Sequence, residues 1–121
     1  MFLKLNHQKL DIYTTSKKFV LDCYKLTRQF PTGEKFGMIS QIRRAALSVH
    51  LNIAEGASRK SELERKRYYE ISRGSVVEID AALDVAIELG YLENLDLKSL
   101  EISMVQCFKL LTGLIDSKLH H

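Results

Sequence analysis

Tryptophan is absent from this 121-residue chain, proline occurs once and glycine six times. So few chain breakers exclude the many tight turns of a β-sandwich or barrel and leave room for long helices. The two cysteines, Cys23 and Cys107, lie far apart, with no CxxC and no Cys/His spacing of a zinc site. Each falls in an apolar helical stripe. They read as two buried thiols in a reducing compartment, with a disulfide between them as the other reading. No stretch approaches the roughly 18 to 20 uncharged residues that a membrane span requires. Met1-Phe2-Leu3-Lys4-Leu5-Asn6 is not followed by the apolar run of a secretory signal. A cytoplasmic protein with no membrane partner is the expectation. His120 and His121 close the chain, as native residues or as the remnant of a tag, and no role is assigned to them.

Catalytic signatures are also missing. The sequence holds no GxxxxGK[ST], GxGxxG, HExxH or GxSxG. His50 has no carboxylate or second histidine four residues on, and reads as a structural residue that pairs with Glu55 or another group. Asp80, Asp84 and Glu88 recur every four residues, but the Glu-x-x-His pairs of helical di-iron sites are absent. This row reads as a solvated or subunit-facing acidic ridge. No catalytic residue, metal or cofactor is expected.

What is present is an ordinary globular balance, 45% apolar and 27% charged. A chain of this length buries roughly two thirds of its unfolded surface and needs no metal or disulfide to fold. Apolar residues recur at spacings of three and four, which predicts four helices. The first spans about Lys9–Gln29, with Ile12, Phe19, Cys23, Leu26 and Phe30 inward, and Pro31 and Gly33 end it. The second starts within Glu34–Ser40 and runs to about Glu55. Its inward stripe is Ile39, Ile42, Ala46, Val49 and Ile53. A second stripe, Leu47, Leu51 and Ala54, points to burial against a neighbouring subunit. Gly56 suits a left-handed helix stop. The third follows a capping box, Ser61 with Glu64, and runs about 40 Å to Leu89, with Gly90 as its stop. Its inward stripe is Tyr69, Ser72, Val76, Ile79, Leu83 and Ala86. Gly74 and Ser75 lie mid-helix, where glycine costs about 1 kcal/mol, so close approach of another helix is expected there. The fourth begins near Asn94 or Asp96 and continues to about Lys118, with Leu97, Leu100, Met104, Cys107, Leu111 and Leu114 inward. Short breaks between long amphipathic helices make antiparallel neighbours. The fold class is therefore all-α, an up-down-up-down four-helix bundle, with residues 1–121 as a single domain.

Charge is unevenly spread. The net charge is +3, yet residues 1–73 hold 15 Lys/Arg against 7 Asp/Glu, and residues 74–121 hold 3 against 8. Arg59, Lys60, Arg65, Lys66, Arg67 and Arg73 cluster around the turn between helices 2 and 3, and Arg43 and Arg44 lie on helix 2. Guanidinium groups contact phosphates without reading sequence, and Tyr68 and Tyr69 among them suit stacking on unpaired bases. These eight cations are the candidate nucleic-acid contacts, for RNA or DNA. The competing reading makes Tyr69 core and the charges a solvated face, or a match for an acidic protein partner or the acidic half of a sister subunit. Gln41, Arg44, Asn52 and Glu55 are polar groups on an apolar helix and need partners. The scheme they suggest pairs Arg43 or Arg44 with Glu78, and Asn52 with the turn around Gly56.

The run Gln41-Ile-Arg-Arg-Ala-Ala-Leu-Ser-Val-His-Leu-Asn-Ile-Ala-Glu-Gly56 is distinctive. With Tyr24, Phe30-Pro31, Glu34 and Arg73-Gly-Ser-Val-Val-Glu78, it resembles the four-helix-bundle family encoded in intervening sequences of bacterial 23S rRNA genes, also labelled S23 ribosomal protein. The resemblance covers roughly residues 9–118. It implies a left-handed antiparallel bundle that assembles into a ring-like homo-oligomer, a pentamer. A related branch is the accessory variability protein of diversity-generating retroelements, a basic pentamer that binds nucleic acid and the retroelement's reverse transcriptase. By position, Gln41, Arg43, Arg44, Asn52, Glu55 and Gly56 fall on the helix 2 motif, and Arg73, Gly74, Ser75 and Glu78 on the helix 3 motif. They are structural or interface residues by this resemblance. The family pattern has Thr where this chain has Ile39.

Overall fold

The computed structural model describes residues 2–117. Helix α1 spans Asp11–Thr27, α2 Met38–Ala57, α3 Glu62–Glu88 and α4 Lys98–Asp116, with short 3-10 turns at Asn6–Lys9 and Thr32–Glu34. Among the described residues there is no strand.

Contacts between α1 and α2, and between α2 and α3, run in opposite senses along the two helices. Ser16 meets His50 and Thr27 meets Arg43, which sets α1 against α2. Gln41 meets Glu78, Ser48 meets Ser75 and Val49 meets Ser72, which sets α2 against α3. Arg73 meets Thr112 across α3 and α4, and Asp22 meets Ser103 across α1 and α4. The four helices enclose one core that includes Phe19, Ile42, Val49, Ile53, Ile79 and Leu111. The inward stripes of α1 and α3 named above are buried throughout. Of the second and fourth stripes, the end residues Ile39, Leu97 and Leu114 and the central Met104 are only partly covered.

Hydroxyl groups stitch this core. Ser72 Oγ donates to the carbonyl of Val49 at 2.7 Å, and Thr27 Oγ1 donates to that of Cys23 at 2.8 Å. A buried hydroxyl without a partner is costly: the Ser72 bond crosses to α2 and fixes the register and rotation of α3, and the Thr27 bond satisfies its hydroxyl within α1. Cys23 and Cys107 are free thiols and both are buried.

The helix ends follow local chemistry. Ser61 Oγ accepts from the Glu64 amide at 3.3 Å, and Gly90 ends α3 with a φ of 79°. Gly56 is not a left-handed stop: it lies inside α2, buried against α3. Helix α2 opens one residue after Gly37, and Glu34 Oε1 accepts the Met38 amide at 3.1 Å. A carboxylate at a helix N-terminus stabilises the unpaired amides and the positive end of the dipole. Tyr91 donates to the other oxygen of Glu34 at 2.7 Å, tying the α1–α2 turn to the α3–α4 turn. These two bonds hold the Glu34 carboxyl below its ordinary range. Helix α4 starts later than Asn94. Asn94 takes a left-handed φ of 63°, and Asp96 Oδ1 accepts the Lys98 amide at 3.0 Å. The expected extension to Lys118, like His120 and His121, lies outside the described residues.

Candidate nucleic-acid interface

The turn between α2 and α3 forms one end of the bundle. At this end α3 crosses α2 closely: a Cβ on Gly56 would lie 3.1 Å from Tyr69 Cε1 and 3.2 Å from the Arg65 carbonyl oxygen. That proximity requires glycine and places Tyr69 in the core and Tyr68 beside the turn.

The cations here divide by what holds them. Arg65 Nη1 donates to the carbonyl oxygens of Arg59 at 2.9 Å and Lys60 at 2.7 Å. It covers carbonyls just beyond the C-terminus of α2, where a cation also offsets the negative end of the dipole. Arg59 Nη2 donates to Glu55 Oε2 at 2.6 Å and to the Tyr68 hydroxyl at 3.1 Å, and its guanidinium lies 5.0 Å from the Tyr68 ring centroid. Lys66 Nζ is 3.9 Å from Glu62 Oε1. Lys60 and Arg67 are exposed, and among the described residues no side-chain hydrogen bond or ion pair engages either head group. The 3-10 turn Asn6–Lys9 packs against α2 and adds exposed Lys9 to this end, a neighbour that the sequence spacing does not reveal.

Other cations expected in the patch lie elsewhere. Arg43 and Arg44 sit about 20 Å along α2 from the turn. Arg43 Nε donates to Thr27 Oγ1 at 2.9 Å, and its guanidinium stacks 4.6 Å from the Tyr24 ring centroid. Arg44 is exposed on the outer side of α2. Arg73 faces α4, where Nη1 donates to Thr112 Oγ1 at 3.1 Å and the guanidinium lies 5.9 Å from the Phe108 ring centroid.

The polar partners also differ from the sequence scheme. Glu78 accepts from Gln41 Nε2, not from Arg43 or Arg44. Asn52 does not bond to the Gly56 turn; its Nδ2 donates to the carbonyl and the hydroxyl of Ser48, at 2.8 and 3.0 Å. Ser75 donates to the same hydroxyl at 3.0 Å. Ser48 thus joins Asn52 to Ser75, and no spacing in the sequence announces that junction. His50 pairs with Ser16 at 2.6 Å and stacks on Tyr13, not with Glu55. Burial beside Lys17 and His7 lowers its pKa below the ordinary 6.5.

Gly74 meets nothing within 4 Å where a Cβ would stand, so the close approach expected there is not supplied by this chain's own helices. Leu47 and Leu51 point outward, the latter 59% exposed. Asp80, Asp84 and Glu88 are all exposed along α3. Among the described residues no group of three His, Cys, Asp or Glu could hold a metal ion, and no helix is long and apolar enough to cross a membrane.

A sequence model of the family described as 23S rRNA-intervening sequence protein matches residues 8–113. No curated protein matches the chain.

Proposed function

The chain belongs to the 23S rRNA-intervening sequence protein family, and from that premise we propose that it is a non-enzymatic homo-oligomer that binds nucleic acid through the basic end of its bundle. The observation that carries this reading is the pairing of Lys60 and Arg67, exposed and without a partner among the described residues, with a turn held rigid by Arg59 and Arg65. Cations on a fixed frame meet phosphates without first ordering a loop, so less of the contact energy is lost to entropy. Lys9 and Lys66 extend the same surface. Arg44 lies too far along α2 to join it, and Arg43 and Arg73 are occupied within the fold.

RNA and DNA are both open to a surface that contacts backbone alone. The resemblance implies five copies in a ring, which would repeat the basic end and multiply weak contacts by raising effective concentration.

The test is fluorescence anisotropy with a labelled RNA hairpin, single-stranded DNA and duplex DNA across a salt series. Binding by the parent chain should weaken steeply with salt, and Lys60→Ala with Arg67→Ala should flatten the logarithmic slope by about two. Equal affinity and slope in parent and double variant would remove the assignment. No binding by the parent at about 50 mM salt, with an intact oligomer, would favour the alternative: a protein–protein scaffold with no direct nucleic-acid contact.

A further inference from the structure

Two opposite sides of the bundle differ in charge and share exposed apolar groups. On the α1/α2 side Leu21, Leu47 and Leu51 are exposed, with Lys17, Arg28 and Arg44 around them. On the α3/α4 side Val77, Val105 and Phe108 are exposed and line an open apolar groove of about 360 Å³. Asp80 edges that groove and continues into a second one, of about 440 Å³, lined by Asp84, Ile87 and Glu101. Lys109 lies at the basic end of the first groove.

The two sides also match in height along the bundle. The contacts Arg43–Thr27 and Ser16–His50 place Leu21 level with Leu47, and Arg28 about two turns beyond. The contacts Ser48–Ser75 and Gln41–Glu78 place Arg44 near the level of Val77, within one turn of Asp80. Arg73–Thr112 carries the same level across to Phe108 on α4. Leu21 and Leu47 therefore lie within about one turn of Val77 and Phe108, with Leu51 a turn farther away, and Arg28 lies near the level of Asp80 with Arg44 one turn from it.

We infer that the α1/α2 side of one copy packs into the α3/α4 groove of a second copy, with both bundles pointing the same way and no shift along their axes. This rests on the homo-oligomer reading above and names its contact surface. The occupant is a second copy because this chain itself carries the complementary face: leucines of a size to fill the groove and cations at the height of its carboxylates. Packing between two different faces is heterologous, so an open array keeps one unused face of each kind, at its two ends, until a ring closes. It also covers leucines that a soluble monomer would leave in a contiguous apolar patch.

Sedimentation velocity on the full chain tests this with surface variants, whose folding is checked by circular dichroism. Asp80→Lys with Asp84→Lys reverses one face, and Arg28→Glu with Arg44→Glu reverses the other. Each double variant should weaken assembly by roughly tenfold or more, and the quadruple variant that carries both reversals should recover most of it. Assembly in the parent that neither reversal changes would overturn this interface and leave the homo-oligomer reading standing. A quadruple variant no better than either double variant would overturn the pairing of the two faces. A parent that sediments as a monomer would instead remove the homo-oligomer reading, and the interface with it.

Discussion

Gly56 of α2 and Tyr68 of α3 are in van der Waals conflict with any larger pair: a Cβ added to Gly56 would fall 2.8 Å from the Cβ of Tyr68. The atom it meets is the root of a side chain, which cannot swing away without moving α3. Gly56→Ala should therefore destabilise the fold by about 1 to 3 kcal/mol, as overpacking does elsewhere. Gly74→Ala should do the reverse and add about 0.5 to 1 kcal/mol to the monomer, because the added methyl meets open space and the helix loses a flexible residue. Urea unfolding of the two variants beside the parent checks both signs.

Arg65 and Arg67 are two residues apart and have different work. Arg65→Ala leaves the carbonyls of Arg59 and Lys60 without their guanidinium donor and should cost about 1 to 2 kcal/mol. Arg67→Ala removes an exposed group and should fall within about 0.5 kcal/mol of the parent. Thermal unfolding separates them. A nucleic-acid binding assay should therefore spare Arg65, since its loss would loosen the turn that presents Lys60.

His50 makes stability depend on pH in a defined window. Its folded-state pKa lies below the ordinary 6.5, chiefly through burial. Between the folded and unfolded values the unfolded chain binds more protons, so stability rises with pH there. The contribution is whole above about 6.5 and is lost as pH falls through the folded value. Urea midpoints should drop from pH 7 to pH 5, and His50→Asn should show a smaller drop. Glu34 is held below its ordinary 4.5, chiefly by the Tyr91 hydrogen bond. Its folded-state stabilisation is present above that ordinary value and is lost as pH falls through the folded one.

The cysteines should be inert in the folded chain. Burial pushes both thiols up to about 12, and the thiolate is the reactive form. Labelling by a disulfide reagent at pH 8 should be slow without denaturant and reach two thiols per chain in urea. Fast labelling of the native protein would contradict the packing of α1 against α4.

The sequence by itself determined the helices and their buried faces. Periods of three and four depend only on the geometry of one helix, so Phe19, Ile53, Ile79 and Leu111 were legible as core. Caps that act within a few residues, such as Ser61 on Glu64 and Gly90 after α3, were legible for the same reason. Tertiary structure alone decided which charged and polar groups meet. Arg43 reaches Thr27 and Arg73 reaches Thr112 because neighbouring helices fix their heights, and Ser75 reaches Ser48 because α3 crosses α2 there. It also decided that Gly56 serves a helix crossing and not a turn. A side chain's partner depends on the rotation and register of two helices at once, and no one-dimensional spacing carries that information.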